Sequence, residues 1–234
     1  MKRQNLQLEG LFQNGKDVLI NKFNIKDSKK LDKVEYTYVS LNITYIIDNP
    51  IKINSVFDIC IIHKILFKDI YEWAGTFRNL NIYKEEPILT GLSVKYSEYK
   101  NINRDLNSLD KRFKSTKWNE LSHEDTIDEV ILIISKLWKI HCFREGNTRA
   151  VTTFLYLLMK QINLKVNVLF ISNHAKFFRN ALVMASIDEY SEFEHLKNIL
   201  LDSVSMKETN ENKYKTIREY EVEKYQYRNH KYKE

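Results

Sequence analysis

Glycine, proline and cysteine are scarce in this chain of 234 residues, which holds Gly 5, Pro 2 and Cys 2. So few turn-formers exclude an architecture of many short strands and favour long helices. Cys60 and Cys142 belong to no CxxC pair, which removes a disulfide framework and leaves a reducing cytoplasm as the simplest setting. Long apolar runs are also missing. The longest purely aliphatic run is 130–134, against the roughly 20 residues that a membrane-spanning helix needs. The opening Met1-Lys2-Arg3-Gln4-Asn5 leads into no apolar stretch, so no secretory signal is expected. Nor does one sign of charge dominate: 37 Lys+Arg stand against 31 Asp+Glu, a net +6. The signs are interspersed. That fits a solvated surface with a mild preference for anionic partners rather than a nucleic-acid binder or a membrane-bound protein.

What is present is a 43% hydrophobic fraction with helical spacing, enough for one core. The expected division is an N-terminal extension and helix (1–54), a core (55–206) and a charged, Tyr-rich tail (207–234). In 29–47, Leu31, Val34, Tyr38, Leu41 and Tyr45 recur at 3- and 4-residue steps, which predicts an amphipathic helix ending at Asn49-Pro50. Residues 56–73 are apolar on most sides and predict a central helix, with Gly75 as its C-terminal cap. Within 78–96 two short alternating runs flank Glu85-Glu86-Pro87 and Gly91, the pattern of a β-hairpin. A lone hairpin in a helical chain is a candidate binding flap. Helices follow at 98–113 and from the cap signature Ser122-His123-Glu124-Asp125 to Ile140, then near 148–162, 173–187 and 189–206.

Chemistry concentrates between two of these helices, in His141-Cys142-Phe143-Arg144-Glu145-Gly146-Asn147-Thr148-Arg149. His141 titrates where a general base should, near neutral pH; its structural alternative is a cap on the preceding helix. Glu145 suits Mg²⁺, which takes one carboxylate together with phosphate oxygens and water; its alternative is an acidic residue favoured by the next helix's dipole. His141 and Glu145 as a transition-metal pair lack a third ligand. Gly146 and Asn147 allow a tight turn whose N–H groups, with the positive end of the next helix, form an anion cradle. Arg149 can grip a phosphate with two donors. Phe143 reads as a core anchor. Cys142 reads poorly as a nucleophile, because sequence neighbours seldom meet in catalytic geometry.

The segment resembles the active-site motif of the Fic (filamentation induced by cAMP) family, H-x-F-x-[D/E]-G-N-[G/K]-R-x-x-R, at His141, Phe143, Glu145, Gly146, Asn147 and Arg149. Tyr71-Glu72-Trp73-Ala74-Gly75 and Asn81-Ile82-Tyr83-Lys84 are also similar to the family, and the likeness extends over roughly 17–200. Three positions depart from it. Cys142 replaces a proline, Thr148 takes the Gly/Lys position, and Thr152 stands where the family has a second arginine. The Gly-Asn-Thr form leans away from the Lys-bearing, kinase-like Doc branch.

The resemblance implies an all-α Fic-type helical bundle with a β-hairpin flap over the active-site loop. It implies a protein adenylyltransferase that moves AMP from ATP to a Ser, Thr or Tyr hydroxyl of a target protein. His141 would be the base and Glu145 would hold Mg²⁺. Lys84, Glu145, Gly146, Asn147, Thr148 and Arg149 would bind the nucleotide, and Asn81, Ile82, Tyr83 and Lys84 would dock the target by β-augmentation. Phosphoryl transfer, or a regulatory partner without catalysis, are the alternatives. The family's usual restraint is a helix carrying [S/T]-x-x-x-E-[G/N], on the same chain or on an antitoxin-like partner. Glu9 and Glu211 precede Gly or Asn but lack the upstream hydroxyl, so no such lock is expected within the chain. His63, Cys60 and the flap's Lys84 also have bland readings, as core or solvated side chains.

Overall fold

The computed structural model describes residues 18–188 and 191–205. Among them are eight α-helices: α1 Ser28–Asp48, α2 Asp58–Phe67, α3 Ile102–Ser115, α4 His123–Ile140, α5 Asn147–Gln161, α6 Val168–Asn173, α7 Ala175–Met184 and α8 Glu194–Ser205. The first 17 residues of the expected N-terminal extension and the expected tail 207–234 lie outside the described residues. No described helix is long and apolar enough to cross a membrane.

α4 is the centre. Ser122 caps it by accepting from the Asp125 N–H at 3.1 Å, and the helix buries ten side chains, from Thr126 to Ile140. α3 and α5 pack on it, and α8 closes another side. α2 is fixed at its start by Asp110 of α3, which accepts from the Ser55 hydroxyl (2.6 Å) and the Val56 N–H (3.0 Å).

α2 is shorter than its apolar run. It ends at Phe67, and the chain folds back on itself through 68–75. The Gly75 N–H then donates to His63 Nδ1 at 2.9 Å. Gly75 therefore caps no helix end. Its φ of 84° and close approach explain the glycine, since an added Cβ would sit 2.9 Å from both the Cys60 carbonyl oxygen and Lys64 Cβ.

α1 keeps its expected bounds, between an Asp27 cap and Pro50, but only part of its expected face: Leu31, Val34 and Tyr38 pack inward. Leu41 and Tyr45 are 63% and 55% exposed, while Leu31, Val39 and Ile46 are buried. Two polar residues, Glu35 and Asn42, belong to the inward stripe. Asn42 Nδ2 donates to the Leu66 carbonyl (3.2 Å) and to Asp69 (2.9 Å). A stripe interrupted by polar contacts is invisible to hydrophobic periodicity. The helix expected over 173–187 is α7, Ala175–Met184, and a short helix that was not expected, α6, precedes it, capped where Asn167 accepts from the Phe170 N–H at 3.0 Å.

The flap also departs from expectation. Residues 78–97 run out and back, but no strand ladder forms among the described residues there. The arms share the Glu86 N–H to Leu92 carbonyl bond (2.9 Å) around a 3-10 turn at Pro87–Leu89. Elsewhere the partners of a ladder are taken. Arg78 occupies the carbonyls of Leu80 and Ser97, and the Ser93 hydroxyl accepts from the Lys84 N–H at 3.3 Å.

Candidate active site

His141 follows the last residue of α4 in the left-handed region, φ 52°. That turn stops the helix and swings the imidazole into the interior, where the residue is 3% exposed. Nδ1 lies 3.1 Å from the Trp138 carbonyl, so it carries the proton and donates it. Nε2 is then the unprotonated nitrogen. It is buried and has no hydrogen-bond partner among the described residues. The ring packs on Tyr96 (centroids 4.2 Å) and edge-on to Trp138 (5.2 Å). Burial, followed by the charge of Lys84, holds the imidazole pKa well below its ordinary value, against the Trp138 hydrogen bond. The ring is neutral at physiological pH and offers a lone pair at Nε2.

The loop after His141 is built by pairing within itself. Asn147 accepts from the Phe143 N–H (2.9 Å) and donates to the Phe143 carbonyl (2.8 Å). Its side chain thus closes the loop. Phe143 is buried and stacks on His63 at 3.8 Å. His63 reaches under the loop and donates from Nε2 to the Glu145 carbonyl at 3.0 Å, a tautomer fixed by the Gly75 N–H on Nδ1. His63 is a core residue, as its apolar helix suggests, and also a strut of the loop. Gly146 has φ 79°, and a Cβ there would collide with the Phe67 ring. Cys142 is buried, and burial pushes its thiol pKa up, away from nucleophile chemistry.

Glu145 and Lys84 meet although sixty-odd residues apart: Lys84 Nζ is 3.5 Å from Glu145 Oε2, and the Gly146 N–H donates to Glu145 Oε1 at 3.0 Å. Burial opposes ionisation of Glu145, but Lys84, the Gly146 amide and Arg149 outweigh it and hold the carboxyl below its usual range. Thr148 accepts from Trp138 Nε1 at 3.0 Å, and Thr152 bonds back to the Thr148 carbonyl at 2.8 Å. Arg149 lies on the Phe67 ring, 4.8 Å from its centroid. Its Nη2 is 2.6 Å from Glu35 of α1 and 3.9 Å from Glu145. Two clefts flank this end of α5. One, of about 450 Å³, is lined by Leu31, Glu35, Tyr71, Arg144, Glu145 and Arg149. The other, about 220 Å³ and mostly apolar, includes Thr148, Arg149 and Thr152.

In the flap, Asn81 Oδ1 accepts from the Tyr99 N–H at 2.9 Å, Ile82 packs against the core, and Tyr83 is 67% exposed. The main-chain groups of Asn81, Ile82 and Tyr83 have no hydrogen bond among the described residues. The tip is anchored by Glu86, fully buried, which takes two bonds from Arg179 of α7 (2.7 and 3.0 Å) and one from Tyr96 (3.0 Å).

Four contributors escaped sequence reasoning: Glu35, Arg78, Glu86 and Arg179. Each acts across the fold. None left a sequence signal, since a polar residue on an inward stripe, as Glu35 is on α1, does not register in hydrophobic periodicity.

No group of three or more His, Cys, Asp or Glu side chains suited to a metal occurs among the described residues. Glu145 lines the cleft beside Arg149, and a carboxylate there suits Mg²⁺ that arrives with a polyphosphate.

Comparison with known proteins agrees with this geometry. Residues 54–159 match the model of the Fic/DOC family. The protein adenylyltransferase VbhT of Bartonella schoenbuchensis is 26% identical over 187 residues, covering 79% of this chain and 36% of VbhT. The probable protein adenylyltransferase Fic of Salmonella typhimurium is 23% identical over 141 residues, 60% of this chain and 66% of that protein. The chain thus spans about a third of VbhT and just under two thirds of the Salmonella protein. Among solved structures, Bartonella tribocorum BepC with bound AMPPNP superposes with a TM-score of 0.69 at 22% identity, covering 83% of this chain and 96% of that one. The FIC domain of Bep8 from Bartonella sp. 1-1C gives 0.70 at 20% identity, covering 90% and 99%. The self-closed loop between α4 and α5 lies inside the matched segment, so over residues 54–159 the chain is similar to the Fic/DOC family, and its described residues share the fold of the Fic-domain structures.

Proposed function

We propose that the chain is a protein adenylyltransferase that moves AMP from ATP to a hydroxyl side chain of a target protein. The observation that carries this reading is the His141 imidazole, with Nδ1–H committed to the Trp138 carbonyl and Nε2 left with a lone pair and no partner among the described residues. Such a nitrogen is set to take a proton. Around it stand Glu145, Lys84 and the N-terminal end of α5, a setting for a polyphosphate.

The target's Ser, Thr or Tyr hydroxyl gives its proton to His141 Nε2, and its oxygen bonds to the α-phosphorus of ATP. The bond from that phosphorus to the bridging oxygen breaks, and pyrophosphate leaves. His141 later returns the proton to water. Lys84 and Arg149 neutralise the phosphate oxygens, and the Gly146 turn supplies close backbone approach. Glu145 would hold Mg²⁺, which offsets phosphate charge when bound. The open main chain of Asn81, Ile82 and Tyr83 takes the target segment as an added strand and lines up its hydroxyl. Nε2 is closed off from water in this state, so the hydroxyl reaches it only as the Lys84 arm of the flap shifts.

The test is incubation of the pure chain with Mg²⁺, a cell lysate and ATP labelled at the α- or the γ-phosphorus. Protein labelled from the α-position alone supports adenylyl transfer. Label from the γ-position alone assigns phosphoryl transfer, and no label in either sample removes the transferase reading.

A further inference from the structure

Arg78 is 5% exposed, and its hydrogen-bond partners among the described residues are all carbonyls. Its Nε donates to the His141 carbonyl at 2.7 Å. Nη2 reaches the Ile140 carbonyl at 3.3 Å and the Ser97 carbonyl, and Nη1 the Leu80 carbonyl at 2.7 Å. Its own N–H donates to the Cys142 carbonyl at 2.9 Å. One side chain thus joins three places: the end of α4 that carries the base, the outgoing root of the flap at Leu80, and the returning root at Ser97.

We propose that Arg78 is a positioning residue that holds the catalytic base and both roots of the target-docking flap as one unit. The chemistry favours arginine for this work. A buried cation suits the negative end of a helix, and the planar fork presents donors in several fixed directions. An ammonium is a point charge and cannot span four carbonyls. The left-handed backbone at His141 adds a need for restraint, because a non-glycine residue is strained there and the carbonyl is held by Arg78. If that carbonyl moves, Nε2 moves with it, and so does the register of the docking arm.

The inference rests on the transferase reading for its kinetic consequence but not for its structural one, so two arms are needed. In the first, Arg78→Lys and Arg78→Gln are compared with wild type by amide hydrogen exchange. Faster exchange in 80–97 and 141–146 together, with α3 and α8 unchanged, is expected. Acceleration in only one of the two segments, or spread evenly over the chain, overturns the coupling. In the second arm, Arg78→Lys should lower kcat about 100-fold, as a misplaced reacting group does, while MgATP affinity stays within about twofold. A kcat within about threefold of wild type, or a loss that merely tracks the unfolded fraction, overturns the positioning role. A wild-type chain that transfers nothing would sink the transferase reading and leave the exchange arm to decide this one. If neither variant folds, wild-type protein labelled with ¹⁵N-arginine decides. The Arg78 Nε–H should exchange far more slowly than that of exposed Arg104, and equal rates overturn the proposal.

Discussion

At the scale of single residues, roles are set by which neighbour takes which atom. In the proposed transfer His141 would act through Nε2, because the Trp138 carbonyl occupies Nδ1. His141→Ala should therefore abolish transfer while MgATP binding, followed by calorimetry, is retained; a variant with a large share of wild-type labelling would remove His141 from the base role. The depressed pKa has a consequence with a definite sign. The base is already neutral at pH 6.5, so kcat should stay level as pH falls from 8 through 6.5 and drop only in more acid solution. A profile that breaks near 6.5 would mean an imidazole exposed to water. Glu35 holds Arg149 at 2.6 Å and is itself held by the Tyr71 hydroxyl, so phosphate reaches Arg149 only in competition with a carboxylate. Glu35→Gln should tighten MgATP binding about fivefold, near 1 kcal/mol, in the same calorimetric assay. Weaker binding would show that Glu35 orients Arg149 for the phosphate. The grouping of His141, Glu145 and Gly146 in one loop was legible in sequence because they are neighbours along the chain. Glu35 and Arg78 were not, because their partners are brought to them only by packing.

Elements behaved as their local signals said where those signals were local. The Ser122 cap and the apolar faces of α4 and α5 hold in the structure. α2 ran short because its apolar run continues past the helix into a turn that packs equally well. The flap failed as a hairpin for a related reason. Alternation identified two extended arms but could not foresee that Arg78 and Ser93 would take the partners of a ladder. Its tip depends instead on the Glu86–Arg179 pair. Arg179→Met leaves the buried Glu86 carboxylate with Tyr96 alone and should cost about 2 kcal/mol in urea unfolding, the usual loss for a broken buried pair reduced because Arg179 is part-exposed. The double variant Glu86→Gln with Arg179→Met should recover most of that cost. A single variant as stable as wild type would show that the tip is held by other contacts.

Among the described residues, α1, α2 and α5 form the frame beside the active-site loop, α4 carries His141 at its end and α7 anchors the flap tip. Two of the buried side chains are neutral histidines. Burial pulls the His63 pKa down to about 4, and that of His141 also falls below its ordinary value. The unfolded chain binds protons at these sites near pH 6.5 and the folded chain does not. Stability is therefore intact above pH 6.5 and is lost as the pH falls from there toward 4, by up to about 1.4 kcal/mol per pH unit for each histidine. Urea midpoints measured from pH 7 to 4.5 should show that slope, and His63→Gln should reduce it; an unchanged slope would mean that other groups drive acid unfolding. The fold class was legible from composition and helical spacing, since few glycines and prolines leave little else. The joining of flap, α1 and active loop was not, because it rests on polar contacts between distant segments. The most direct measurement of the central claim is transfer from α-labelled ATP by wild type and His141→Ala side by side. The expected result is α-label on protein with wild type and none with the variant. Equal labelling by both, or label from the γ-phosphorus alone, would contradict it.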